Sequence, residues 1–213
     1  MHQKRQTASN LWPIPRKGTK FVVVPSHNKK NGIPILIVMR DILGIVKTKK
    51  ELKKIITEKK ILTNGSVVRN VNFSLTLFDT ISFPELKKHY KINLSELGKF
   101  SLSEIKDSEA LFKISKAIGK KILKGGKIQI NFSDGRNLIS NEKINIGDSA
   151  IINIKTKKID KILPIKENSN VIIIKGKHLG KIGKIKKIYE RNSLINLNNE
   201  EFILPNKFIM VIS

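Results

Sequence analysis

Between Val171 and Arg191 the chain reads VIIIKGKHLGKIGKIKKIYER: β-branched residues, then a basic segment broken by glycines, then a second run in which apolar and basic residues mix. Few folds accommodate such a stretch. The Val and Ile residues favour extended backbone, and Gly176, Gly180 and Gly183 supply the freedom that tight turns and close approaches demand. The expected product is a hairpin that presents Lys175, Lys177, His178, Lys181 and Lys184 on a stiff β scaffold. A polyanion is the natural partner for that loop, although a charge run is more often a solvated turn.

The charge of the whole chain points the same way. Lys and Arg number 42 against 17 Asp and Glu, giving +25 over 213 residues, which self-repels unless something anionic neutralises it. An A+T-rich coding sequence would also favour Lys, Ile and Asn, but it would not remove acids. The 39% hydrophobic content supplies ordered cores, and the length suits one large domain or two to three small ones. Residues 1–50 hold 11 Lys and Arg and a single acid, Asp41, as a nucleic-acid-facing arm would. Pro13, Pro15, Pro25 and Pro34 interrupt any amphipathic helix there, which argues against membrane-surface binding. No signal-peptide core follows Met1, and apolar runs such as Ile35 to Met39 are too short to span a bilayer, so a cytoplasmic location is expected. Without cysteine there is neither a disulfide framework nor a thiolate metal site.

Along the chain, residues 1–20 lack periodicity and read as an extended arm, disordered alone and ordered by threading between RNA helices. Trp12 is either an apolar anchor for that arm or a platform for an unpaired base, anchoring being the commoner use. Residues 21–24 and 33–39 read as short strands. Thr48 and Glu51 form a capping box ahead of Leu52, Ile55 and Ile56, which predicts a short helix with Lys49, Lys50, Lys53, Lys54 and, a turn later, Lys60 on its other face. Asn64-Gly65 marks a hairpin within residues 61–68. Small strands follow from residue 85. Ala110, Leu111, Ile114, Ala117 and Ile118 then predict a helix over 108–121, ended by Gly125-Gly126. Residues 127–132 and 150–154 read as strands, with turns at Ser133-Asp134-Gly135 and Gly147-Asp148. Pro164 and the polar run to Asn170 mark a boundary before closely spaced strands.

These pieces, taken in order, resemble the archaeal and eukaryotic small-subunit ribosomal proteins of the S-four-e type. The resemblance rests on His2, Lys4, Arg5, Trp12, Ile14, Arg16, Lys17, Ile33-Pro34, Arg40-Asp41, Asn64-Gly65, Arg69, Asp79, Gly125-Gly126, Gln129, Asn131, Asp134 to Asn137, Gly147-Asp148-Ser149 and a KOW-like loop from His178 to Gly183. It implies a multi-domain α+β protein. The implied parts are a basic N-terminal arm with short strands (1–40), a helix-plus-hairpin RNA-binding domain of the alpha-L type (41–84), a small central β-rich domain (85–164) and a KOW barrel of SH3-like form (165–213). The loop between Pro25 and Pro34 is shorter than the family's usual insertion there, and Phe78 stands where a methionine is expected.

Implied with the family are rRNA and neighbouring small-subunit ribosomal proteins as partners, with no membrane and no small-molecule substrate. The candidate RNA-binding residues are Lys4, Arg5, Arg16, Lys17, Lys20, Arg40, Lys47, Lys49, Lys50, Lys53, Lys54, Arg69, Arg136, Lys175, Lys177, His178, Lys181 and Lys184. Arg forks suit phosphate and sugar contacts better than isolated Lys does, so Arg5, Arg16 and Arg69 lead. Arg40 has a local partner in Asp41, and Arg136 in Asp134. Four scattered His, no HExxH pair, no nucleophile elbow and no phosphate-binding glycine loop leave no catalytic residue, metal site or cofactor to propose. Asp79 belongs to a helix-hairpin type that elsewhere accompanies pseudouridine synthase domains, but no such domain follows here. The alternatives are a KOW-containing transcription or translation factor that associates transiently with ribosome or polymerase, and an RNA-modifying enzyme.

Overall fold

The computed structural model describes residues 2–140, 142–197 and 200–212. The chain is mostly β and divides into two compact units, one of residues 1–94 with 99–111, the other of residues 95–98 with 112–213.

In the first unit, Thr48 caps the helix Lys49–Thr57 as the sequence predicts: its hydroxyl accepts from the Glu51 N–H at 3.3 Å. Leu52 and Ile56 bury one face of that helix in a core built around Trp12, Ile33–Met39, Ile61, Ile81 and Phe100. The hairpin Leu62–Thr63 and Ser66–Val67 follows. It opens an antiparallel sheet in the order Ser66–Val67, Leu62–Thr63, Thr80–Phe83, Lys88–Leu94, Phe100–Ile105.

Two expectations fail here. Residues 35–39 are helical, continuing through residue 42, instead of extended. Every side chain from Ile33 to Met39 is buried, and an apolar run buried on all sides carries no period that separates helix from strand. The arm, for its part, is folded within the protein. Gln3–Lys4 pairs with Phe21–Val22, closing residues 5–20 into a loop. Trp12, 1% exposed, anchors it, donating from Nε1 to the Gly32 carbonyl at 2.9 Å. Gly32 has no alternative, since a Cβ there would lie 1.9 Å from the Ser74 hydroxyl.

The second unit contains two five-stranded antiparallel sheets. One runs Asn137–Ile139, Ile128–Phe132, Phe112–Ile122, Ser149–Asn153, Lys158–Leu163. The other runs Glu200–Pro205, Asn192–Leu197, Ile182–Ile188, Asn170–Ile173, Ile209–Val211. The helix expected over 108–121 is therefore a short 3-10 turn, Glu109–Leu111, followed by the long strand Phe112–Ile122, and Gly125-Gly126 turns a hairpin. The strand's inward positions are occupied by Lys113, Ser115 and Ala117, so its two-residue period is hidden behind polar side chains.

Lys113, Lys116 and Ser149 stitch the unit together. The Lys113 ammonium meets Asp134 Oδ2 at 2.7 Å with both side chains almost fully buried, and Asp134 Oδ1 accepts the Arg136 N–H at 3.1 Å. Lys116 Nζ donates to the carbonyls of Asn206 and Ile209, each at 2.6 Å, and the Ser149 hydroxyl accepts the Val211 N–H at 3.0 Å. Both contacts join the two sheets.

Asp134→Asn should destabilise the protein by about 3 kcal/mol in urea unfolding, because it leaves the Lys113 charge buried without its counterion. An unchanged midpoint would show that solvent reaches the pair. Lys116 makes a pH prediction. Burial lowers its pKa to about 8, whereas an unfolded lysine titrates near 10.4. Between those values the unfolded state binds more protons, so stability rises with pH, by up to about 1.4 kcal/mol per pH unit from this group. The stability of the wild type relative to Lys116→Met should thus increase from pH 8 to pH 10. A flat difference would mean that the ammonium is solvated.

Candidate nucleic-acid interface

The helix Lys49–Thr57 is built to leave its cations facing outwards. Glu51 completes the cap: its carboxylate accepts the Lys47 N–H at 2.8 Å and the Thr48 hydroxyl at 2.9 Å, and these bonds, the first above all, hold its pKa below the usual range. With Leu52 and Ile56 buried, Lys47, Lys49, Lys50, Lys53 and Lys54 are exposed, and none forms an ion pair among the described residues. Lys49 and Lys53, like Lys50 and Lys54, are like charges one turn apart, an arrangement that costs the free helix a few tenths of a kcal/mol per pair. Lys60 differs. It bridges Glu58 at 3.0 Å and Glu85 at 3.3 Å, and those carboxylates raise its pKa.

The hairpin beside the helix is held from within. Asn64 and Gly65 both take positive φ, 46° and 71°, as a tight two-residue hairpin turn requires. The Asn64 amide donates to Asp79 Oδ1 at 2.6 Å and its carbonyl accepts the Thr80 N–H at 3.1 Å. Asp79 Oδ2 accepts from the Thr76 backbone and hydroxyl. Asp79 is thus a buried clamp on the turn. Arg69, just past the hairpin, is exposed and without an ion pair among the described residues.

Arg5 and Arg16 have different surroundings. The Arg5 guanidinium donates to Thr19 O at 2.8 Å, Pro15 O at 2.9 Å and Thr19 Oγ1 at 2.8 Å, latching the arm's loop. Three of its five N–H groups are thereby engaged. Arg16 and Lys17 are exposed on the same loop, with Lys4 and Lys20 near the strand pair that closes it. A cleft of about 410 Å³ in this region is lined by Arg5, Asn10, Arg16 and Lys99, among others.

Arg40 and Arg136 meet the local partners that the sequence offers. Arg40 grips Asp41 through two bonds of 3.0 and 2.9 Å, and the hydrogen bonding to that carboxylate raises the guanidinium pKa. Arg136 Nε lies 3.5 Å from Asp134 Oδ2, but the tighter partner of that carboxylate is Lys113. Nothing in the spacing from Lys113 to Asp134 announces the pair, which forms only because adjacent strands bring them together.

The glycine loop 174–181 folds back on itself between paired strands, with the Gly180 N–H donating to Ile173 O at 2.9 Å and the Lys181 N–H to His178 O at 3.1 Å. Lys175, Lys177, Lys181 and Lys184 are exposed, whereas the His178 ring packs 4.2 Å from that of Phe202. Gly183 is required by packing: a Cβ would lie 2.5 Å from the Asn196 carbonyl. Among the described residues no group of three His, Asp or Glu could hold a metal ion, and no helix is long and apolar enough to cross a membrane.

Residues 86–159 match the family described as "Ribosomal family S4e", and residues 167–198 match the KOW motif. A protein of Methanocella arvoryzae named small ribosomal subunit protein eS4 is 38% identical over 190 residues, covering 88% of this chain and 80% of the relative. The chain belongs to the ribosomal S4e family. The eS4 proteins of Archaeoglobus fulgidus, 37% identical over 87% of this chain and 79% of theirs, and Methanosphaera stadtmanae, 31% over 99% and 91%, extend the match across nearly the whole S4e sequence. The crystal structure of the 30S ribosomal protein S4e from Thermoplasma acidophilum is similar at a TM-score of 0.73, with 25% identity over 87% of this chain and 96% of that one. This S4e chain accordingly carries the KOW motif on a mostly β body.

The lysine repulsion on the S4e helix is directly measurable. Lys49→Glu creates a favourable Glu-to-Lys pair with Lys53 and puts a negative charge at the helix N-terminus, so the free protein should melt about 1–2 °C higher. A lower melting temperature would mean that Lys49 has a folded-state role the structure lacks.

Proposed function

We propose that this protein is a structural constituent of the small ribosomal subunit, bound to its rRNA through distributed phosphate and sugar contacts and resident with ribosomes in the cytoplasm. Family membership is the observation that carries this reading. Relatives at 31–38% identity bear the name small ribosomal subunit protein, and the similar crystal structure is titled a 30S ribosomal protein. A transient transcription or translation factor finds no support in those names. Carboxylates such as Asp79 are tied to turns, as in a scaffold.

Phosphate neutralisation supplies most of the affinity in such a system, and position supplies specificity. The exposed, unpaired cations fit that role best: Lys47, Lys49, Lys50, Lys53, Lys54, Arg69, Arg16, Lys17 and the lysines of the glycine loop. Lys4, Lys20 and the remaining N–H donors of Arg5 extend the surface along the arm. Arg40, Arg136 and His178 are weaker contacts on this reading, because each is already engaged within the protein. We further read residues 41–84 as an alpha-L type RNA-binding domain and residues 165–213 as an SH3-like barrel, flanking a small central β-rich domain of 85–164 and preceded by the arm and short strands of 1–40. The capped helix with its hairpin and the five-strand order of the C-terminal sheet support this.

Sedimentation of native lysate in moderate salt, with quantitation by mass spectrometry, should find the chain on small subunits at about one copy each; a largely free pool would overturn the proposal. With purified small-subunit RNA, Arg16→Ala and Arg69→Ala should each weaken binding and lower the slope of log K against log salt by about 1. Normal binding by both variants would remove these two residues from the interface.

A further inference from the structure

The strand Phe112–Ile122 belongs to two structures in succession. Its first half pairs with Ser149–Asn153, from Phe112 opposite Asn153 to Lys116 opposite Ser149. Its second half pairs with Ile128–Phe132, ending at Ile122 opposite Ile128. The next strand, Asn137–Ile139, runs beside Ile128–Phe132 as far as Gln129, and the Ser140 N–H donates to Ile128 O at 3.0 Å, so only the tip of the ribbon of residues 120–128, from 123 to 127, has no third strand beside it among the described residues. The register shifts between Ala117 and Gly119, and a bulge of this kind bends and further twists the strand that carries it. The Leu123 N–H donates to Lys127 O at 2.8 Å and closes the tip through Lys124, Gly125 and Gly126. Both glycines have positive φ, and a Cβ on either would meet nothing within 4 Å.

No acid occurs between Glu109 and Asp134, while lysines stand at 113, 116, 120, 121, 124 and 127. Lys113 and Lys116 are buried and engaged; the other four are exposed, with no ion pair among the described residues. The register sets Lys120 opposite Ile130 and Lys121 opposite Gln129, hence on opposite faces of the ribbon, with Lys124 and Lys127 at its tip. Ile122, 76% exposed, sits opposite the half-buried Ile128. A protein partner would have to desolvate four ammoniums that this segment leaves uncompensated. A polyanion with two charged walls needs no such compensation, and the wide, shallow minor groove of A-form RNA, lined by phosphates and 2′-hydroxyls, admits side chains from a ribbon.

We propose that residues 120–128 form an RNA-binding finger. Lys120 and Lys121 contact phosphates on facing backbone strands, Lys124 and Lys127 contact phosphates at the tip, and Ile122 rests on ribose within the groove. This deepens the RNA-binding reading above and rests on it. None of these residues belongs to the RNA-binding set drawn from the sequence, whose pattern predicts a helix to 121, a glycine stop at 125–126 and a strand from 127.

The test compares two fourfold Lys→Gln variants of the full chain in binding small-subunit RNA: one at 120, 121, 124 and 127, the other at Lys155, Lys157, Lys158 and Lys161, which are also exposed. The finger variant should lose at least about tenfold in affinity and show a salt slope smaller by about 2–3, with the matched variant nearly unaffected. Equal losses would reduce the finger to bulk charge and overturn the proposal, as would full binding by the finger variant. Failure of the wild-type protein to bind RNA would overturn the parent reading instead. Because the chain has no cysteine, Lys124→Cys can also carry a single iron chelate into assembled subunits. Local cleavage of the rRNA is expected, and intact RNA around a subunit that contains the labelled protein would overturn the finger.

Discussion

Mutual repulsion among 42 cationic side chains, opposed by 17 carboxylates, is the constraint every other feature of this structure answers to. Part of this small complement of carboxylates is spent on holding the fold. Asp79 clamps the hairpin turn, and Asp148 accepts the N–H groups of Asn145 and Ile165, each at 3.0 Å. Asp134 holds Lys113 inside the second unit, and Glu51 caps the exposed helix. Some of the exposed acids hold neighbours, as Glu201 does with Lys186 and Asp107 with His89. With so many acids occupied by the fold's own turns and pairs, most lysines remain uncompensated, and the compensation has to come from another molecule.

That division explains how a short helix can present four like charges. Its cohesion comes from the cap and from two buried residues, Leu52 and Ile56, while the charged face contributes repulsion only. The hairpin follows the same plan. The Asn64, Asp79 and Thr80 bonds fix the turn without using any group that points outward, leaving Arg69 exposed beside it. Rigid support beneath an unpaired charge limits the entropy lost on binding, which is what phosphate contacts of modest individual strength require.

Local chemistry was the part of this fold legible in the sequence. Thr48 with Glu51, Asn64-Gly65, Gly147-Asp148 and the strand-loop-strand pattern from Val171 each encode their geometry within a few residues, and each forms as its residue types require. The failures share one physical origin, which is that tertiary contacts decide what local pattern leaves open. Ile35 to Met39 is apolar in every position, so burial on all sides fits helix and strand alike. Residues 110–118 place Ala, Leu and Ile at helical spacing, but the sheet buries Lys113 and Lys116 because partners 21 and 90 residues away receive their ammoniums. The arm looked disordered because its anchors, Trp12 on Gly32 and Arg5 on Thr19, are single side chains reaching backbone groups that no periodicity marks.

The long strand makes the general point within eleven residues. Lys113 and Lys116 are buried because a carboxylate and two backbone carbonyls wait for them at hydrogen-bond distance. Lys120 and Lys121, four to eight residues on, have no such partners and stay in water. The side chains are identical, and composition assigns them the same meaning. What separates a lysine that builds the protein from one that is free for an outside anion is whether a neighbouring strand delivers an acceptor to it. In this chain that boundary falls at the bulge between Ala117 and Gly119, where the strand exchanges Ser149–Asn153 for Ile128–Phe132 as its partner.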